Sequence, residues 1–440
     1  MLFKNITLLD HNFKVQTGMN LLTSGDKITY ISEELPDNYE GEIYKGENKV
    51  ILPGFFNTHC HIPMTLLRGY GEGLPLQRWL FEKIFPFEAR LTPKDCYWGS
   101  LLGAMEMIRS GVVSYTDMYF NIEDIVLATK ESGLKANISH GTSANPNIQN
   151  FKELVAYKDT QRMLEMVRAD NDDSIKIDMG LHAEYTSNES LVRQLAEYAK
   201  ANNLIVHTHI SETQSEHEKC KEKYGLTPLG YFEKCGLLEN PVVAAHCVWI
   251  EDEDFNIIKE KEVTLVHCIS SNLKLGSGFA PIKKMLDMGI PVGIGTDGAS
   301  SNNNLNMIEE IHIASLVNKG VTRDPQFMSP KETIKLATLN GALSQGRTDT
   351  GSIKVGNKAD IIVFDMDKPH LQPVFDVLSN IVYSANAEDI CLTMINGKLI
   401  YKDGEYLNID SEEIIYESNK IKDRILAELS LERGILNDDD

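Results

Sequence analysis

The chain has 440 residues, 42% of them apolar, and a formal charge of −21. That length exceeds one average domain and suits a single large barrel with an appended module. Acidic side chains spread along the chain, with residues 438–440 all aspartate, repel phosphate backbones and exclude nucleic acid as the expected partner. No apolar run reaches the roughly 18 residues of a membrane-spanning helix, so no membrane partner is expected. The first fifteen residues interleave polar and apolar side chains as a strand does, unlike a signal peptide. Seven cysteines, an odd number with no C-x-x-C pair, point to free thiols in a reducing, cytoplasmic compartment.

In chain order, residues 2–9, 27–31 and 43–45 read as short strands, with Thr23-Ser24-Gly25-Asp26 as the turn before the second. From Phe55 the texture changes to eight β-like apolar runs: 55–59, 112–118, 135–140, 175–182, 204–210, 242–248, 263–268 and 291–297. Each is followed by a helical pattern. In the clearest, Thr92-Pro93 is an N-cap with proline at the first helical position. Tyr97, Leu101, Met105 and Ile108 then repeat at helical spacing up to Gly111. Eight such alternations predict an α/β fold, a (β/α)8 TIM-like barrel, with a doubly wound sheet as runner-up. After Gly351 strands return at 361–365, 392–395 and 399–401, with turns at Asn396-Gly397 and Asp403-Gly404. The organisation expected is a small β-sandwich module from residues 1–54 and 351–410, a catalytic barrel over 55–350, and a C-terminal segment 411–440 that reads as helix through 436.

Residues with metal-ligand chemistry recur at the C-terminal ends of the predicted strands. His59 and His61 close the first, two apart and so on one face. His209 closes the fifth, His246 lies in the sixth, and Asp297 closes the eighth in Gly295-Thr296-Asp297-Gly298. In a barrel those ends share one mouth, where active sites lie. Any one of these histidines taken singly reads more readily as a packed core residue; five groups at matching ends read as a metal site. Neutral imidazoles with one carboxylate suit a divalent transition metal, zinc first and iron second, rather than Mg²⁺ or Ca²⁺. A second metal would want a bridging carboxylate or lysine at the end of the fourth strand. That strand ends in His182, and Lys176 sits at its start, so one metal is expected. Glu212, three residues past His209, has two open readings: a proton carrier for hydrolysis, or a helix-start carboxylate.

Together, Pro53-Gly54-Phe55-x-x-Thr58-His59-x-His61, His209-x-x-Glu212, Ala245-His246-Cys247, Ser271-Asn272-Leu273-Lys274-Leu275 and Thr296-Asp297-Gly298 resemble the amidohydrolase superfamily. The branch they are most similar to is the 5′-methylthioadenosine/S-adenosylhomocysteine deaminases, and the likeness spans essentially the whole chain, including Lys358-Ala359-Asp360-Ile361. The resemblance implies that His59, His61, His209 and Asp297 hold the metal and that Glu212 carries protons. It assigns His246 and Asp297 to orienting the attacking oxygen. Trp79, Glu88 and His182 correspond to substrate-binding positions, with Glu88 on the ribose hydroxyls and His182 on the base; ordinary packing is the alternative for Trp79, and a solvated or supporting role for Glu88 and His182. His140, His207 and His267 stay structural or unassigned. The implied reaction is hydrolytic deamination of an adenosine-type nucleoside to its inosine-type product and ammonia.

The sequence departs from this branch in one place. Members that take S-adenosylhomocysteine place arginines after the third strand, whereas a gap-free match puts His140 and Lys152 there. Neither offers arginine's two-pronged grip on a carboxylate. The expected partner is therefore a small nucleoside with a neutral 5′ group, such as adenosine, 5′-deoxyadenosine or 5′-methylthioadenosine, ahead of S-adenosylhomocysteine; a homo-oligomer is left open. The rival enzyme reading is an aminohydrolase of guanine, cytosine or a triazine, for which a ribose-binding Glu88 has no use. A catalytically dead scaffold is the rival of another class, and it would have lost ligands that this chain keeps.

Overall fold

The computed structural model describes residues 1–144, 147–170 and 172–438, with side chains through residue 431; Asp439 and Asp440 of the acidic end lie outside the described residues. Eight parallel runs form the centre: β1 (Phe55–Cys60), β2 (Val112–Tyr119), β3 (Lys135–His140), β4 (Ile175–Ile177, continued by Met179–Leu181), β5 (Val206–Ile210), β6 (Val242–His246), β7 (Val263–His267) and β8 (Val292–Ile294). Nearly every residue in them is buried. This is why they read as apolar runs without alternation: both faces of a parallel barrel sheet are covered.

The strands hydrogen-bond in two ladders, β1-β2-β3-β4 and β4-β5-β6-β7-β8, in chain order. The predicted fourth strand is one run in sequence and two in space, because Asp178 changes neighbours. Its N–H donates to Ile138 O at 2.9 Å, and the next N–H, of Met179, donates to Ile205 O at 2.8 Å. At the seam between β8 and β1 other bonds replace the ladder. Asp297 N–H donates to His59 O at 3.0 Å. Thr58 Oγ1 donates to Ile294 O at 2.9 Å, and Thr296 N–H to Asn57 Oδ1 at 3.0 Å. Gly295 permits the approach: a Cβ there would stand 2.8 Å from His59 N. The result is a TIM-barrel-like fold. The run expected at 291–297 forms strand only to Ile294, so Asp297 sits three residues beyond it, on the loop.

All six β segments predicted at the two chain ends are strands, and three more, Val15–Ser24, Lys49–Pro53 and Glu405–Tyr406, join them. Lys49–Pro53 was invisible to a period-two search because four of its five residues are buried. Both chain ends pair in one nine-stranded sheet, joined where Ile361–Asp365 runs antiparallel to Lys49–Pro53. Phe3, Ile6, Leu21, Ile51, Ile361 and Leu392 belong to a hydrophobic cluster of its own. The helix Pro93–Arg109 begins with the expected Thr92 cap, reinforced by Asp95. Asp95 also accepts from Arg424 at 2.5 Å, which ties the terminal helix Ser411–Asp438 against it. No described helix is long and apolar enough to cross a membrane.

Candidate active site

The C-terminal ends of the barrel strands open into a cavity of about 850 Å³, its mouth included. His61, His182, His209, Glu212, His246 and Asp297 line it on the barrel side. Trp79 and Glu88 line it from the helical insert 76–88 that follows β1. His59 is fully buried beneath them. All nine residues singled out in the sequence therefore fall at one place. Lys176, by contrast, bonds Gln345 O and Gly346 O from the start of β4, the opposite end.

Each imidazole is fixed through one ring nitrogen. His61 Nδ1 and His209 Nδ1 donate to the carbonyls of Met118 and His182, both at 2.6 Å. His59 Nδ1 lies 2.7 Å from His207 Nε2, and His246 Nδ1 lies 2.9 Å from Asn272 Oδ1. The Nε2 atoms are left to converge. His59 Nε2 and His61 Nε2 stand 3.4 and 3.2 Å from Asp297 Oδ1, and His61 Nε2 is 3.3 Å from His209 Nε2. His59 Nε2 is buried with no hydrogen-bond partner. With both Nδ1–H groups committed to carbonyls, neutral His61 and His209 point lone pairs at each other, and a positive charge between them removes that conflict. His59, His61 and Asp297, and likewise His59, His209 and His246, offer ligand atoms within 4.8 Å of one another. This donor set, orphaned nitrogen included, fits a divalent metal of the borderline kind.

For His59, His209 and Asp297 the electrostatics agree with that fit, whereas His61 has to give up a proton to ligate. Burial drives His59 down to about 4 and His209 well below the ordinary imidazole range, so these rings are neutral, as ligation requires. Burial also opposes protonation of His61, but Asp297 and the Met118 carbonyl outweigh it and lift the ring to about 9. Asp297 is itself held well below the usual carboxylate range, despite burial, by His59 and His61. Its other oxygen accepts from Ser271 at 2.7 Å and Ser301 at 2.8 Å. Four residues here take left-handed backbone without being glycine: Ser211 (φ 49°), His246 (φ 70°), Cys247 (φ 48°) and Asp297 (φ 60°). Such conformations cost about 1–3 kcal/mol each and persist where the surroundings over-determine them.

Glu212 lies just past β5, with Oε2 3.9 Å from His246 Nε2, and burial raises its pKa. Across the cavity, Glu88 Oε1 accepts from Tyr119 Oη at 2.6 Å. Burial pushes Glu88 up to about 7, against that hydrogen bond. Sequence reasoning missed Tyr119, although it stands one residue beyond the predicted second strand, at the end where site residues gather. It also left His207, the partner of His59, unassigned. His140 faces Asp159 at 3.8 Å, and Arg162 pairs with Glu123 at 2.8 Å. Lys152 and Arg168 are exposed. No lysine or arginine lines the cavity among the described residues.

The profile of the amidohydrolase family matches residues 50–400. The chain belongs to that family. This amidohydrolase is 42% identical over 422 residues to a 5-methylthioadenosine/S-adenosylhomocysteine deaminase of Caldanaerobacter subterraneus subsp. tengcongensis, covering 96% of this chain and 97% of that protein. It is 40% identical over 401 residues to a 5′-deoxyadenosine deaminase of Methanosarcina acetivorans, covering 91% and 92%. Among solved structures it is similar to an adenosine deaminase from Xanthomonas campestris with bound zinc, at TM-score 0.91 and 28% identity, covering 97% of this chain and 98% of that one.

Proposed function

We propose that this amidohydrolase removes the 6-amino group of adenosine-type nucleosides by hydrolysis, releasing ammonia and the inosine-type product. The observation that carries the reading is the convergence of His59, His61, His209 and Asp297 beside Glu212, at the floor of a cavity whose far wall holds Glu88. Relatives named as deaminases of such nucleosides support it. His59, His61, His209 and Asp297 would hold one divalent metal, zinc first, and a cation there supplies the charge that brings the pKa of water toward neutrality.

The chain's own groups supply the rest. Glu212 takes a proton from the attacking water and delivers it to N1 of the purine as the C6–O bond forms. Asp297 and His246 orient that oxygen, and the proton it still carries passes by way of Asp297 to the amino group as the C6=O bond forms, the C6–N bond breaks and ammonia leaves. His182 sets the base, and Trp79 packs against the nucleoside from the insert. Tyr119 occupies one oxygen of Glu88 and leaves the other for the ribose hydroxyls. We read residues 55–350 as the catalytic unit and residues 1–54 with 351–410 as a sandwich folded over its own core. Seven unpaired thiols, six of them buried, support a cytoplasmic setting.

Glu88→Gln is expected to weaken kcat/KM for nucleosides by about 1.5–3 kcal/mol, the range for a hydrogen bond to a charged group. Any slow turnover of a free base should be untouched, and equal losses for nucleoside and base would remove Glu88 from the ribose. The substrate panel that tests the function as a whole is adenosine, 5′-deoxyadenosine, 5′-methylthioadenosine, S-adenosylhomocysteine, adenine and guanine, with ammonia release measured. A cavity without a lysine or arginine favours the neutral 5′ groups, so these should give the higher kcat/KM. S-adenosylhomocysteine turning over fastest would show that a carboxylate anchor exists. Guanine turning over fastest would replace the nucleoside reading with a free-base one.

A further inference from the structure

The helix Gln214–Tyr224 starts two residues after Glu212, and its third residue is the buried Glu216. An ordinary capping box needs one bond from such a carboxylate, to the N–H of the cap residue. Glu216 makes three. Its Oε2 accepts from Thr213 N–H at 3.3 Å, the capping bond, and from Glu212 N–H at 3.0 Å; its Oε1 accepts from Ser211 N–H at 3.0 Å. The two extra bonds lie upstream of the helix, on the segment that carries Glu212.

That segment is gripped from its other sides too. Ser211 holds left-handed backbone, a conformation a serine adopts at a cost. Its carbonyl accepts from Val248 N–H at 3.1 Å and Trp249 N–H at 3.0 Å, just past the strand that carries His246. Ser211 Oγ lies 3.1 Å from His217 Nδ1, and His217 Nε2 lies 3.0 Å from Glu251 Oε1. These bonds locate the loop, and the carboxylate of Glu216 sets its internal shape. A backbone rotation at Ser211 or Glu212 would break one of the three bonds and swing the Glu212 side chain away from His246.

We propose that Glu216 is a positioning residue for the reaction: by collecting the N–H groups of Ser211, Glu212 and Thr213 it fixes the direction in which Glu212 presents its carboxyl to the cavity. This rests on the reading of Glu212 as the proton carrier. Glu184 Oε2, buried near this carboxylate, has no hydrogen-bond partner; burial and the charge of Glu216 push the Glu184 carboxyl up to about 9. Burial and the charge of Glu212 also push Glu216 up, to about 7, so Glu184 holds its proton more tightly and Glu216 is the first of the pair to ionise.

The test is a double-substitution cycle on the metal-loaded enzyme, with metal content and thermal midpoint measured beside kcat and KM. Glu216→Gln turns one acceptor into a donor that faces an N–H. It should lower kcat by about tenfold or more, leaving KM within about threefold and metal content unchanged. In the Glu212→Gln background the same substitution should cost less than about twofold, because a group acting through Glu212 has nothing left to position. Thr213→Ala removes a hydroxyl that caps the helix by accepting from Glu216 N–H and makes no other hydrogen bond among the described residues; it should lower the thermal midpoint with kcat within about twofold of wild type. A Glu216→Gln kcat within twofold of wild type overturns the inference. So does an equal fold-loss in both backgrounds, or a loss in Thr213→Ala that matches it. Should Glu216→Gln fold too poorly to assay, Glu216→Asp, one methylene short, takes its place in the cycle with the same expectations. Glu212→Gln alone retaining activity would instead sink the proton-carrier reading, and this inference with it.

Discussion

Glu212→Gln is expected to keep its metal and its fold and to lose about 10²–10⁴-fold in kcat, the range attributed to general acid–base steps. Glutamine is nearly isosteric and can still hydrogen-bond, but it carries no titratable proton. Glu212 stands 3.9 Å from His246 Nε2 and belongs to neither of the two groups of ligand atoms, His59 with His61 and Asp297 or His59 with His209 and His246. Losing its charge should therefore leave metal content unchanged. Burial raises the Glu212 pKa, which brings the group nearer to the pH at which it must both accept and donate. In the proposed reading substrate binding rests on the opposite wall, so KM should move little. A variant with more than about a tenth of wild-type kcat would take Glu212 out of the proton transfers.

Removing the metal with a chelator is expected to abolish turnover, and one equivalent of Zn²⁺ per chain to restore it. Stability should follow the same titration. A ligand that binds only the folded state at about a thousandfold excess over its Kd stabilises by roughly 4 kcal/mol. The thermal midpoint should accordingly fall on stripping and recover at the same stoichiometry as activity. The case for a large effect is the packing of the cluster: two Nε2 atoms 3.3 Å apart, a buried nitrogen with no partner, and a carboxylate 3.2 Å from His61. The case for a single ion is the fourth strand, which brings no lysine or carboxylate to this end. Its Lys176 is committed to Gln345 O and Gly346 O at the other. Activity that needs two equivalents per chain would overturn the one-metal reading, and full activity in the stripped protein would overturn the metal itself.

Sequence by itself determined the element types and the cast of residues. Eight apolar runs separated by helical periodicity are legible because burial on both faces of a parallel strand imposes a composition that a reader can see. His59, His61, His209, His246 and Asp297 stood out because the barrel rule concentrates site residues at one end of those runs. Trp79, Glu88 and His182 were reached only through resemblance, since nothing local distinguishes a tryptophan or glutamate in a helical insert from a packed or solvated one.

Tertiary structure decided what depends on partners far apart in the chain. Asp178 splits the fourth run because its neighbours on the two sides, Ile138 and Ile205, belong to different ladders. Lys49–Pro53 became a central strand because Leu2–Leu9 and Ile361–Asp365 flank it. Tyr119 came to hold Glu88 across 31 residues, and His207 to hold His59 across 148. Glu216 is different: its bonds are local, and sequence shows it as a cap. That it also gathers two amides upstream depends on the left-handed turn at Ser211, which the carbonyl's bonds to Val248 and Trp249 help to hold. Periodicity records which side chains are buried; it carries no record of which distant group meets them there, and the chemistry of this site lies in those meetings.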